Sequence, residues 1–207
     1  MSSRQERQAV AHEKNRTTRR EARERYQRQQ RTKRIAIGAV VLVALAGVGW
    51  LGYTIYQDQE DQQLLGDVAS FDVVAGHIED PVTYEQTPPA GGQHSATWQN
   101  CGYYSAPVRN ENAVHALEHG AVWITYRPDL PADQIQNLRE RTEGTSYILT
   151  SPYPDLPAPV VASAWGRQLT FESATDEALS AFLREYRQWP NAPEPGASCS
   201  GGTSATQ

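Results

Sequence analysis

The sequence predicts an α+β fold: a single N-terminal transmembrane helix followed by one small extracytoplasmic α+β domain. Three observations carry that expectation. The first is charge. The 207 residues include 19 Lys or Arg and 24 Asp or Glu, a formal net charge of -5. Residues 1–34 hold 12 of the basic residues and 4 of the acids, which leaves 7 basic and 20 acidic residues for the other 173. The second is an uncharged run of 22 residues at 35–56. The third is the order of segments beyond it, loop–α–β–α–β–β–α, on a scale suited to one hydrophobic core.

Residues 1–34 are rich in Arg, Gln and Glu and poor in large apolar side chains. Such a segment cannot bury a core, so a basic, disordered tail is expected. Its simplest role is to set topology. A basic tail beside a membrane also contacts anionic lipid, at on the order of 1 kcal/mol per basic residue. No aromatic interleaving or folded module points to nucleic acid.

Residues 35–56 would extend roughly 33 Å as a helix, enough to cross a bilayer's hydrocarbon core. Trp50, Tyr53 and Tyr56 gather at its far end, where amphipathic rings favour the interface. A cleaved signal peptide fits less well. The preceding 34 residues are long for its charged region, and the nearest small-residue site, Asp67-Val68-Ala69, is distant. The expectation is a permanent anchor in the cell membrane, the lipid bilayer being the partner of residues 35–56. With the basic side cytoplasmic, the rest of the chain lies outside.

Residues 57–70 read as an acidic juxtamembrane stalk, 71–195 as the extracytoplasmic domain and 196–207 as a flexible tail. Within the domain, residues 71–110 are turn-rich. Asn110 to Gly120 reads as a short helix, capped by Asn110 and ended by Gly120. Residues 121–127 form a β-rich run, and Pro131 to Arg141 an amphipathic helix. Residues 146–151 and 160–171 read as two further strands. Thr175 to Trp189 is the clearest helix, its apolar face made by Leu179, Phe182, Leu183 and Tyr186.

Two features bear on chemistry. Cys101 and Cys199 are the only cysteines. In an oxidising compartment they most simply form one disulfide; the alternative is a thiolate ligand or nucleophile at Cys101. All four outer histidines, His77, His94, His115 and His119, fall before residue 120. His115 and His119 are four apart on the expected helix, so both rings leave one face and can chelate one ion. His94 follows the turn at Pro88 to Gly92, and His77 follows Gly76. Together with Glu118 they make a candidate site for copper or zinc. The alternative is that each histidine is an ordinary hydrogen-bonding group of a metal-free envelope interaction module.

The segment 115–119 also fits H-x-x-E-H, the inverted zinc-protease pattern, in which the glutamate activates metal-bound water. That pattern needs a long helix, whereas Gly120 and a β-rich run follow at once. No Walker loop, dinucleotide glycine fingerprint, G-x-S-x-G or C-x-x-C occurs. A binding role is therefore expected before catalytic turnover, with a metal-dependent hydrolase using Glu118 as the enzymatic alternative.

Three segments carry a family resemblance: Thr87-Pro88-Pro89-Ala90-Gly91-Gly92-Gln93-His94, residues 101–107 (CGYYSAP) and residues 114–122 (VHALEHGAV). They resemble the domain of unknown function 3105 (DUF3105) family of bacterial proteins, whose members carry a PP-x-SG-x-H turn, a G-x-Y-x-x-P segment and an H-x-LEHG-x-V segment. The resemblance covers roughly residues 60–200. Ala90 to Gln93 departs from the Ser-Gly-Pro tendency of that turn. The family has no established activity; it implies a single membrane anchor and groups His94, His115, Glu118 and His119 as a site.

Overall fold

The uncharged run at 35–56 is flanked on both sides by good helix formers, and the helix it forms continues through them. In the computed structural model, which describes residues 2–207, α1 spans Ser2–Leu64. The basic segment read as a disordered tail lies in this helix from residue 2 onward. Arg, Gln, Glu and Ala favour helix intrinsically, and pairs such as Arg20–Glu24 (3.2 Å) add a little more. Among the described residues one helix is long and apolar enough to cross a membrane. The chain divides into two units, residues 1–57 and 58–207.

The second unit is a mixed sheet with helices on both faces. Its elements are β1 (Ala69–Ser70), β2 (Gly76–His77), β3 (Gln93–His94), β4 (Gly102–Tyr103), α2 (Asn110–Glu118), β5 (Val122–Tyr126), α3 (Ala132–Thr142), β6 (Ile148–Pro152), β7 (Val160–Ala164), β8 (Arg167–Phe171) and α4 (Glu177–Tyr186). The main sheet has the order β1-β8-β7-β5-β6-β4. Strands β5 and β6 pair in parallel across the α3 crossover, whereas β5–β7 and β7–β8 are antiparallel. Residues 160–171, expected to be one strand, are a hairpin: Trp165-Gly166 makes the turn, with Gly166 at φ 66°.

The uniformly apolar β5 is explained by burial on both sides. Val122, Ile124 and Tyr126 pack with Leu138, Ile148, Phe171, Leu179 and Phe182, the side covered by α3 and α4. Trp123 faces the other way, into a second cluster with Val114, Leu117, Leu149 and Trp165, the side covered by α2. The last turn of α1 and residues 65–68 belong to this unit: Leu65 and Val68 pack on the first cluster, and Asp61 accepts two hydrogen bonds from Arg184 on α4.

The helix that positions the site is short by design of its end. Asn110 does not cap α2; Arg109 is the residue before the first turn, and the Asn110 amide donates to the Tyr153 hydroxyl. At the other end, Gly120 N–H bonds to Leu117 O and Ala121 N–H to Ala116 O, both at 2.9 Å. That Schellman arrangement needs a left-handed residue, and Gly120 supplies it at φ 92°. Helix α4 is capped by Asp176, whose carboxylate accepts from Ala178 N–H. The C-terminal segment, expected to be flexible, instead runs back along residues 98–108, with Thr203 N–H on Trp98 O and Gln207 N–H on Pro107 O.

Candidate metal centre

The cluster is assembled from two elements. Strands β2 and β3 pair in parallel with His77 opposite His94, a register that puts both side chains on one face. Ring centroids lie 5.0 Å apart. Helix α2 supplies His115 and Glu118, one turn apart on the face turned toward that pair. His115 stands 4.9 Å from each of the other two rings. One ligand atom from each of His77, His94, His115 and Glu118 lies within 4.8 Å of the others.

His94, His115 and Glu118 are buried, while the His77 side chain is 53% exposed and forms the outer edge. Glu118 Oε2 stands 2.9 Å from His94 Nε2 and 3.8 Å from Nε2 of both His77 and His115.

The hydrogen bonds on the far side of the rings determine what those atoms are. His94 Nδ1 lies 2.8 Å from Gly92 O, and His115 Nδ1 lies 2.7 Å from Ser95 O. A carbonyl oxygen only accepts, so each Nδ1 carries the proton and donates. Each ring then turns its Nε2 toward the Glu118 carboxylate. The His94 Nε2–Glu118 Oε2 contact at 2.9 Å is of hydrogen-bond length, so a proton on Nε2 would bridge the two. Only a cation, a proton or a metal ion, makes the arrangement attractive. Backbone carbonyls that hold ligand imidazoles this way are the usual outer support of a metal site.

Burial pushes the His115 pKa down to about 4. Its bond to Ser95 O opposes this, while the neighbouring rings of His119, His94 and His77 add to it. At neutral pH the ring is therefore uncharged and able to ligate. Two indoles wall the cluster: Trp165 sits edge-on to His94 at 5.8 Å, and Trp98 lies 5.6 Å from His115 and 5.1 Å from His119.

The structure does not bring His119 into the group of four. It is the C-cap residue of α2, its Nδ1 donates to Ser198 O at 2.7 Å, and its Nε2 faces Glu194 at 3.7 Å. The helix thus uses its i, i+3 pair, His115 and Glu118, in place of the i, i+4 pair. With α2 ending at Glu118, the long helix required by the inverted zinc-protease pattern is missing. Cys101 is disulfide-bonded to Cys199 and offers no thiolate.

Sequence reasoning missed Trp98, Trp165 and Glu194, and the three supporting carbonyls. An indole near a cluster has no local signal, and a carbonyl belongs to every residue.

A family model for proteins of unknown function, DUF3105, matches residues 77–201, a span that begins at His77 and holds the whole cluster. The chain belongs to the DUF3105 family. No curated protein and no solved structure matches it. DUF3105 membership supplies the extent of the domain, and the site supplies the chemistry: three imidazoles and a carboxylate that could hold one metal ion.

Proposed function

We propose that this DUF3105 protein is a membrane-anchored metal-binding protein whose extracytoplasmic domain holds one zinc or copper ion through His77, His94, His115 and Glu118. The observation that carries the reading is the convergence of three imidazoles and one carboxylate, with the His94 and His115 rings held from behind by backbone carbonyls so that Nε2 of each faces Glu118. Four ligands at zinc's usual bond lengths stand about 3.3 Å from one another in a tetrahedron. The 2.9 and 3.8 Å separations from Glu118 to the imidazoles bracket that value, and the four ligand atoms all lie within 4.8 Å of one another, so the rings close inward around a bound ion. Imidazole and carboxylate without thiolate suit borderline divalent ions. Anchoring rests on the apolar helix, and placement outside the cell on the 12 basic residues before it.

The test is calorimetric titration of the full chain, metal-depleted and held in detergent, with zinc and with copper. One equivalent should bind, and His94→Ala with His115→Ala should abolish it. Failure of both ions to bind, or uptake unchanged in that variant, would sink the reading.

A further inference from the structure

Residues 193–207 form a strap with no buried side chain. Backbone bonds hold it: Cys101 N–H to Cys199 O at 2.9 Å, Asn100 N–H to Thr203 O at 2.8 Å and Thr203 N–H to Trp98 O at 2.9 Å. The Gln99 amide adds a bond to Ala205 O. Each such bond contributes only modest net stability, because opening exchanges it for bonds to water. The covalent tie is the Cys101–Cys199 disulfide, which joins residues 98 apart in sequence.

The inner side of the strap is the wall of the metal centre. Ser198 O fixes the His119 ring. Gly202 lies so close to Trp98 that any side chain there would strike its backbone oxygen and its indole. Trp98 is thereby held over His115 and His119. On the outer side, the half-buried Cys101 and Cys199 lie in a surface groove of about 560 Å³ that also includes Tyr103, Thr142, Tyr147 and Ser198. One fastener is thus open to solvent on one side and sets the wall of the cluster on the other.

We propose that Cys101–Cys199 is a thiol-exchange site: reduction by a dithiol partner unfastens the strap and opens the metal centre at Trp98. A thiolate of the partner attacks one sulfur, the S–S bond breaks, and the departing cysteine leaves as a thiolate and takes up a proton. The partner's second thiolate then attacks the mixed disulfide and frees the other cysteine. Two electrons and two protons pass from the dithiol, which becomes a disulfide, to this protein. The effect on metal release rests on the metal-binding reading above; exchange and strap release do not.

The experiment uses the full chain in detergent with dithiothreitol as the dithiol, followed by iodoacetamide and removal of both reagents. Both cysteines should be alkylated without denaturant, and amide exchange at Asn100, Cys101 and Thr203 should quicken at least about tenfold. Resistance of the disulfide until the domain unfolds, or unchanged exchange at these amides, overturns the proposal. After zinc loading, transfer to a chromophoric chelator should be at least about tenfold faster from the alkylated protein than from the oxidised one; equal rates overturn the link to the metal centre. If the oxidised protein takes up no zinc, the metal-binding reading fails alone, and the exchange data still decide for or against strap release. Gly202→Ala, with the disulfide intact, should also quicken exchange at Thr203, and no change there counts against the strap as the wall of Trp98.

Discussion

Replacing Glu118 with Gln separates a metal ligand from a structural ion-pair partner, because the two roles give opposite signs in the metal-free protein. Glu118 Oε2 lies 2.9 Å from His94 Nε2, and the Gly92 carbonyl already takes the Nδ1 proton. If the ring is neutral, two acceptors face each other. An amide at position 118 can turn its NH₂ toward Nε2 and make the missing hydrogen bond. One such bond contributes about 0.5–1.5 kcal/mol. For a unit of this size about 1 kcal/mol raises the midpoint by about 2–4 °C. The same substitution removes the only anionic ligand, so metal affinity should fall at least about 100-fold, or about 2.8 kcal/mol. Thermal denaturation of the chelator-treated chain, followed by tryptophan fluorescence, reads the first effect, and calorimetry the second. A loss of about 3–5 kcal/mol in the metal-free Gln variant, with metal affinity unchanged, would refute the reasoning. That is the signature of a buried charge stripped of its partner.

Three further outcomes follow from the same geometry. The His115 pKa is depressed to about 4 by burial, so the unfolded chain binds more protons than the folded one between roughly pH 6.5 and 4. The metal-free domain should therefore lose up to about 3 kcal/mol as pH falls through that window, measured as the urea midpoint, and His115→Gln should flatten the slope. Gly120→Ala should destabilise the domain by about 1–3 kcal/mol in chemical denaturation and weaken metal binding, since φ is 92° and the added Cβ would lie 3.0 Å from the Gln188 backbone. In right-side-out vesicles, added protease should digest residues 58–207 and spare the basic N-terminal segment; the reverse pattern would overturn the topology.

The sequence is most informative where a single physical demand acts on a long stretch. An uncharged run of 22 residues and a steep charge step announce the apolar helix, and the stripe of Leu179, Phe182 and Leu183 announces α4. It is least informative where two demands overlap. In β5 both faces are buried, so no alternation marks which residues meet α2 and which meet α3 and α4. The two-residue Trp165-Gly166 turn between Val160–Ala164 and Arg167–Phe171 is too brief to register as a break.

The cluster was legible as a set of residue types, because His115, Glu118 and the Gly120 stop lie within six consecutive positions. The choice among them was not. Whether His119 joins the group depends on Ser198, 79 residues away, whose carbonyl turns the ring toward the C-terminal strap. The strap itself is Gly- and Ser-rich, a composition that reads as flexible. Its order comes from the disulfide and from backbone pairing with residues 98–108.

The central claim is that three imidazoles and one carboxylate bind a single ion, and X-ray absorption at the zinc edge of the loaded full chain tests it most directly. The site requires a first shell of nitrogen and oxygen at about 2.0–2.1 Å, with the outer-shell scattering of three imidazole rings and no sulfur. A shell lacking imidazole scattering, or one containing sulfur at about 2.3 Å, would contradict it.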